Sequence, residues 1–219
     1  ISIKYAIQEK PNGLPEAFII GEEFIEDSPV VLILGDNLFH GNDLFINLKN
    51  AASSKRGGTI FAYSVRDPER YGVATFDSNN KVIDIKEKPK NSESNWAITG
   101  LYFYDQSVVQ RSKNLKPSNR GELEITDLNM SYLNDGLLNI EIMGRGIVWL
   151  DTGSFDSLHE ASSYIRTLEH RQGLKVGCPE EVAWRLGFID SKQLESNARP
   201  FLKSGYGQYL MNLIEKNNS

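Results

Sequence analysis

Three places in the chain put carboxylates or a cation where a strand ends. Val30-Val31-Leu32-Ile33-Leu34 is a run of five apolar residues, three of them β-branched, followed by Gly35-Asp36-Asn37. Such a run reads as a strand buried on both faces. Gly35 lets the backbone turn, so Asp36 stands past the strand's carboxyl end, the edge at which open α/β sheets bind ligands. Asp36 suits a helix cap equally well. Glu87-Lys88-Pro89 closes a second strand, because Pro89 cannot extend a ladder, and Trp149-Leu150-Asp151 closes a third. Two carboxylates on one sheet edge can hold Mg²⁺, a hard cation that takes one or two carboxylates alongside phosphate oxygens and water. Lys88 would add a point charge for a phosphate. Taken singly, each of these residues is more often a surface charge; their joint placement is what points to chemistry. Tyr71-Gly72 can present a ring and an open backbone to a sugar, or be an ordinary turn. Trp149 can stack on a ring or belong to the core.

The elements that must position these residues follow from periodicity and punctuation. Ile3 to Ile7 alternates like a short strand, and Pro11-Asn12-Gly13-Leu14-Pro15 is a shaped loop. Helices are expected over 16–24, 43–52, 106–114, 120–134 and 157–172, and strands over 59–65, 72–77, 81–87, 96–104, 137–143 and 146–150. Gly100 inside the 96–104 strand signals a bulge or a close backbone approach. From Cys178 onward the pattern is all-helical, with Asp190 and Gln193 spaced as a capping box. Strands mixed with helices and then a helical tail indicate an α/β core over 1–176 and a helical appendage over 177–219.

The totals bound the function. The 219 residues are 40% hydrophobic and 24% charged, with a net charge of −5, which argues against a surface that coats nucleic acid. No apolar run is long enough to span a membrane. The single Cys178 cannot form an internal disulfide, and no Cys/His cluster has zinc spacing; a reduced, cytoplasmic setting is expected.

Leu34-Gly35-Asp36-Asn37, Asp67-Pro68-Glu69-Arg70-Tyr71-Gly72-Val73, Glu87-Lys88-Pro89, Thr99-Gly100-Leu101-Tyr102, Gly121-Glu122-Leu123-Glu124-Ile125-Thr126-Asp127 and Trp149-Leu150-Asp151-Thr152-Gly153 occur together and in this order. The ordered set resembles the bacterial glucose-1-phosphate thymidylyltransferases, a family of sugar nucleotidyltransferases. The resemblance implies a Rossmann-like mixed sheet flanked by helices, and the synthesis of dTDP-glucose and pyrophosphate from dTTP and glucose 1-phosphate. It implies that Asp36 and Asp151 hold Mg²⁺ and that Lys88 steadies the sugar phosphate. Gln8 and Gly13 would read the thymine, and Leu14 would belong to the substrate-binding set. Tyr71, Gly72, Glu87, Ile98, Tyr102 and Trp149 would contact sugar or phosphate, with Glu122 and Thr126 supporting the sugar pocket. It further implies a homotetramer in which Gly144, Arg145, Glu181 and Arg185 line a second, regulatory nucleotide pocket.

One feature of the family has no match here: a first strand and a Gly-rich loop of the form G-x-G-x-R-L, whose backbone N–H groups would cradle a triphosphate. The chain is therefore expected to lack its first strand or strands and to be inactive or nearly so by itself. Two rivals remain at the level of sequence, a pyrophosphorylase using UTP or ATP and a non-catalytic sugar-nucleotide-binding module. Pyrophosphate release from dTTP and glucose 1-phosphate is expected only after a family-type N-terminal segment is restored. Turnover by the unmodified chain at the rate of a full-length relative would overturn this expectation.

Overall fold

The strand β6 (Trp96–Tyr104) carries most of the sheet. In the computed structural model, which describes residues 2–79 and 81–217, its residues alternate between two cores, as the period of a strand requires. Ile98, Tyr102 and Tyr104 enter one hydrophobic cluster, and Leu101 and Phe103 the other. Along one edge β6 pairs antiparallel with β3 (Gly58–Ser64), from Gly58 opposite Tyr104 to Ser64 opposite Trp96. The other edge is divided. β4 (Gly72–Phe76) takes Trp96 and Ala97, while β1 (Val30–Ile33) takes Leu101 to Tyr104. β5 (Val82–Glu87) lies antiparallel outside β4, and β7 (Leu138–Ile142) lies parallel outside β3. A separate two-stranded ribbon joins β2 (Asn37–Gly41) to β8 (Ile147–Asp151).

Helices cover both faces. α1 (Glu16–Ile20), α2 (Glu22–Ile25), α4 (Val108–Asn114) and α5 (Ile125–Asn134) send Phe18, Ile25, Val108, Leu128 and Tyr132 against Ile60, Ile98 and Tyr104. On the opposite face α3 (Leu44–Ser53) and the ribbon contribute Ala51, Leu48, Phe39 and Ile147 against Phe61 and Leu101. This layered arrangement is a Rossmann-like α/β fold.

The chain divides after Thr152 into two units. The second is helical: α6 (Phe155–Gln172), α7 (Pro179–Arg185), α8 (Ser191–Ala198) and α9 (Gly205–Asn217). Leu194, Ala198, Leu210 and Leu213 form its core with Cys178. Ser154 with Ser157, and Asp190 with Gln193, close capping boxes at the starts of α6 and α8. The boundary expected at 176/177 falls inside this unit, because α6 groups with the helices that follow it. Among the described residues, no helix is long and apolar enough to cross a membrane.

Several elements differ from the sequence expectations. Ser2 to Gln8 forms no strand, since no strand among the described residues supplies a ladder for it. The helix expected over 16–24 breaks at Gly21 into α1 and α2. Residues 120–124 form a turn, with Gly121 at φ +80°, and α5 starts only at Ile125. β1 is not buried on both faces: Val30 and Leu32 reach the first cluster, whereas Val31 and Ile33 are 44% and 62% exposed. β2 was not anticipated, because its partner β8 lies far along the chain.

Leu128, a fully buried residue of α5, is the position at which to test this core. Leu128→Ala is expected to lower the unfolding free energy by about 2–5 kcal/mol through lost burial and residual cavity, measured by denaturant titration.

Candidate active site

The register of the ribbon brings the backbones of the two separated aspartates side by side. Asn37 stands opposite Asp151, and Thr152 donates to the Asp36 carbonyl from its N–H at 2.7 Å and from its hydroxyl at 3.0 Å. The Asn37 side chain then ties this end to the main sheet. Its Oδ1 accepts from the Gly100 N–H at 2.9 Å and from Trp149 Nε1–H at 2.6 Å, while its Nδ2 donates to Asp36 Oδ1 at 2.8 Å. Gly100 lies where the edge of β6 passes from β4 to β1, so its N–H takes a side-chain acceptor in place of a strand. A Cβ on Gly100 would stand 2.6 Å from Asn37 Cγ. The glycine signal in β6 is thus a close approach, made by a side chain.

Beside the ribbon, the 3₁₀ turn Pro68–Arg70 delivers Arg70 and Tyr71 to Asp151. The Tyr71 phenol donates to Asp151 Oδ2, and Arg70 Nη2 lies 3.3 Å from both carboxylate oxygens. Arg70 also binds Asp67 at 2.9 Å and lies over the Tyr71 ring at 5.2 Å. Burial, and then the hydrogen bond to Asp151, push the Tyr71 phenol well above its ordinary range, so it remains a donor. The Tyr71 and Trp149 rings are 5.1 Å apart.

A second group surrounds Gly72, which pairs with Glu87 across β4 and β5. The space where a Gly72 side chain would stand is bordered by Thr126 Oγ1, Glu87 Oε2 and Ile98 Cδ1. Thr126 donates to Glu87 Oε2 at 2.6 Å. Two cations flank the same carboxylate, Lys88 Nζ at 3.9 Å and Arg120 Nη2 at 3.8 Å from Glu87 Oε1. Lys88 has φ +41°, uncommon for a residue with a side chain and a frequent mark of a functional position. Its N–H donates to the Tyr71 carbonyl at 3.0 Å. Arg120 grips Glu124 through two bonds of 3.1 and 2.7 Å, and Ser118 adds a third at 2.6 Å. Burial opposes ionisation of Glu124, but these bonds outweigh it and hold the carboxyl below its usual range.

The N-terminal loop docks on the segment that carries Arg120. Leu123 N–H donates to the Asn12 carbonyl at 2.7 Å, and Gly13, at φ +103°, leaves no room for a side chain against the Leu123 backbone. Gln8 donates to the Gly13 carbonyl at 3.0 Å and to Glu16 at 2.6 Å, while Leu14 follows, partly buried, into α1.

The sequence candidates therefore separate into groups. Asp36, Asp151, Tyr71 and Trp149 meet at the ribbon end, with the Trp149 ring buried and its N–H engaged. Gly72, Glu87, Ile98 and Thr126 meet at the strand ends with Lys88, and Glu122 approaches Arg120 at 3.8 Å. Tyr102 lies in the core, its ring stacked on Tyr104. Burial, with the charges of Glu87 and Asp36, raises its phenol well above the usual range. Gly144 and Arg145 occupy the exposed turn between β7 and β8 of the first unit. Glu181 and Arg185 pair at 2.7 Å on α7 of the second, where Glu181 also accepts from the Tyr209 phenol. Three residues without an assigned role in the sequence prove central: Asn37, Arg70 and Arg120. Their only sequence signal is adjacency to Asp36, Tyr71 and Gly121.

The Asp36 backbone lies beside Asp151 at the ribbon end, and carboxylates are the hard oxygen donors that a divalent cation would take alongside phosphate and water. Among the described residues, no group of three or more His, Cys, Asp or Glu side chains could hold a metal by protein ligands alone.

This fold, with acidic and basic groups gathered at the strand ends, defines a nucleotidyl transferase: the family's model matches residues 1–167, and the chain belongs to that family. Glucose-1-phosphate thymidylyltransferase of Neisseria meningitidis serogroup A / serotype 4A is 53% identical over 216 residues, covering 99% of this chain and 75% of that protein. The enzyme of the same name from Xanthomonas campestris pv. campestris (strain B100) is 53% identical, covering 99% and 73%. Among solved structures, a Bacillus anthracis protein described as a glucose-1-phosphate thymidylyltransferase, in complex with a sucrose, superposes with a TM-score of 0.68 at 41% identity. That match covers 75% of this chain and 65% of the other. The chain thus spans about three quarters of the curated relatives and just under two thirds of that solved chain.

Two predictions follow from the geometry. Gly100→Ala forces Asn37 away and is expected to cost about 1–3 kcal/mol of stability, read by denaturant titration. For Glu124, whose folded pKa is depressed, the stabilisation is present above the ordinary carboxylate range and lost as pH falls through the folded value. A double-mutant cycle of Arg120→Gln and Glu124→Gln is expected to give about 1 kcal/mol at neutral pH, after solvent screening of the exposed arginine, and to vanish in acid.

Proposed function

We propose that this site transfers a thymidylyl group from dTTP to glucose 1-phosphate, giving dTDP-glucose and pyrophosphate. The observation that carries the proposal is the meeting of Asp36 and Asp151 at one ribbon end, in a chain half identical to enzymes of that name. In the reaction a phosphate oxygen of glucose 1-phosphate forms a bond to the α-phosphorus of dTTP. The bond from that phosphorus to the α–β bridging oxygen breaks, and pyrophosphate leaves with the electron pair. No covalent enzyme intermediate is required, so the protein's contribution is positioning and charge neutralisation.

Each group supplies a part of this. Lys88 and Arg120, the cations flanking Glu87, are placed to neutralise the sugar phosphate. Glu87, oriented by Thr126, accepts from sugar hydroxyls above the open backbone of Gly72. Gln8 has its amide N–H groups on the Gly13 carbonyl and Glu16, which fixes the amide and leaves its oxygen to accept from a pyrimidine N–H. Tyr71 and Trp149 wall the ribbon end, and Tyr71 holds Asp151 in place. Asp36 and Asp151 would hold Mg²⁺, which supplies charge neutralisation at the phosphate oxygens.

The helical second unit is assigned to regulation and assembly, with Glu181 and Arg185 as candidate contacts for a second nucleotide and a homotetramer as the assembled form. Because dTTP and sugar phosphates are intracellular metabolites, the reaction is placed in the cytoplasm.

The test is pyrophosphate release with dTTP, UTP and ATP in parallel, in this chain and in the chain extended by a family-type Gly-rich loop. Asp36→Asn and Asp151→Asn are each expected to slow the competent form by about 100-fold or more, on the scale of losing one transition-state charge partner. A preference for UTP or ATP would reassign the nucleotide. Binding of dTDP-glucose with no turnover in either form would make the chain a binding module.

A further inference from the structure

Arg70 has no task in the transfer step, yet its guanidinium stands against Asp151. Its two grips differ. Nη1 binds Asp67 Oδ2 at 2.9 Å, within the range of a firm charge-assisted hydrogen bond, whereas Nη2 lies 3.3 Å from each oxygen of Asp151. The Arg70 side chain is 47% exposed and that of Asp151 16%. The carboxylate is therefore fixed, with the Tyr71 phenol also upon it, while the guanidinium sits on a long stem at the surface. It can turn away from Asp151 without leaving Asp67.

Resting on the assignment of Asp151 as a cation ligand, we propose that Arg70 is a resident counter-ion of Asp151 that competes with the divalent cation for the carboxylate. A cation arriving alone must displace a positive charge from the same two oxygens. One arriving with the phosphates of a nucleotide brings an anion to which the guanidinium can turn, since a planar fork of N–H donors matches phosphate as well as carboxylate. Arg70 thereby ties cation loading to nucleotide loading. It is a positioning residue whose effect is read on cation affinity.

The experiment titrates this chain with Mn²⁺ alone, following free Mn²⁺ by its electron paramagnetic resonance signal. Arg70→Gln is expected to bind Mn²⁺ roughly fivefold more tightly than the unmodified chain, the scale of one partly exposed ion pair. Asp67→Asn, which releases the guanidinium onto Asp151, is expected to bind roughly twofold more weakly. Arg70→Lys, which keeps the charge without the fork, should fall between the unmodified chain and Arg70→Gln. Asp151→Asn should abolish the site. If Arg70→Gln binds no more tightly while Asp151→Asn still loses the ion, the counter-ion role is overturned and the cation assignment stands. If no Mn²⁺ binding depends on Asp151, even in Arg70→Gln, both fall. Equal weakening in Arg70→Gln and Asp67→Asn marks general disruption and also overturns the proposal.

Discussion

The contact between the Asn37 side chain and the backbone of Gly100 holds the site together. A sheet edge shared by two strands leaves one N–H without a ladder partner, and a buried donor left unpaired costs free energy. Asn37 satisfies that donor and takes the Trp149 N–H on the same oxygen, while its amide nitrogen reaches Asp36. One polar side chain thus fixes the break in the sheet edge, the ribbon and the first aspartate together. Such an arrangement needs a glycine at position 100, because any Cβ would occupy the space of the amide.

From that anchor the charges of the site sort into two clusters. At the ribbon end the negative charge of Asp151 is answered by Arg70 and the Tyr71 phenol, while Asp36 accepts from the Asn37 amide. At the ends of β4 and β5, Glu87 lies between Lys88 and Arg120, and Arg120 is itself held by Glu124. Tyr71 and Gly72 are consecutive, so the two clusters are joined through one short piece of backbone. Phosphoryl chemistry between two anionic substrates requires this kind of alternation. At each cluster a carboxylate holds an arginine in a fixed place, Asp67 on Arg70 and Glu124 on Arg120, so the cations stand oriented at the surface.

The elements that the sequence made legible are those built on local periodicity and punctuation. β6, the β4–β5 hairpin and the helices of the second unit lie close to where alternation, helical spacing and the Asp190–Gln193 capping box put them. The strand ends at Asp36, Lys88 and Asp151 were legible for the same reason, since a glycine, a proline or a loss of apolar residues marks where a strand stops. The resemblance of the ordered motifs supplied the family, and the family model and relatives agree with it.

What the sequence could not supply is anything set by pairing across long separations. It could not place β2, whose five residues become a strand only because β8 pairs with them, nor keep Ile3 to Ile7 in a strand without a partner ladder. It carried no sign that Asn37 would reach Gly100, that Arg70 would stand on Asp151, or that Arg120 would face Glu87. Residue types and local spacing determined the strand ends and the chemistry that their side chains can do. Only the tertiary structure decided which ends meet, because register and the sharing of a sheet edge are settled by hydrogen bonds between segments that the chain keeps far apart.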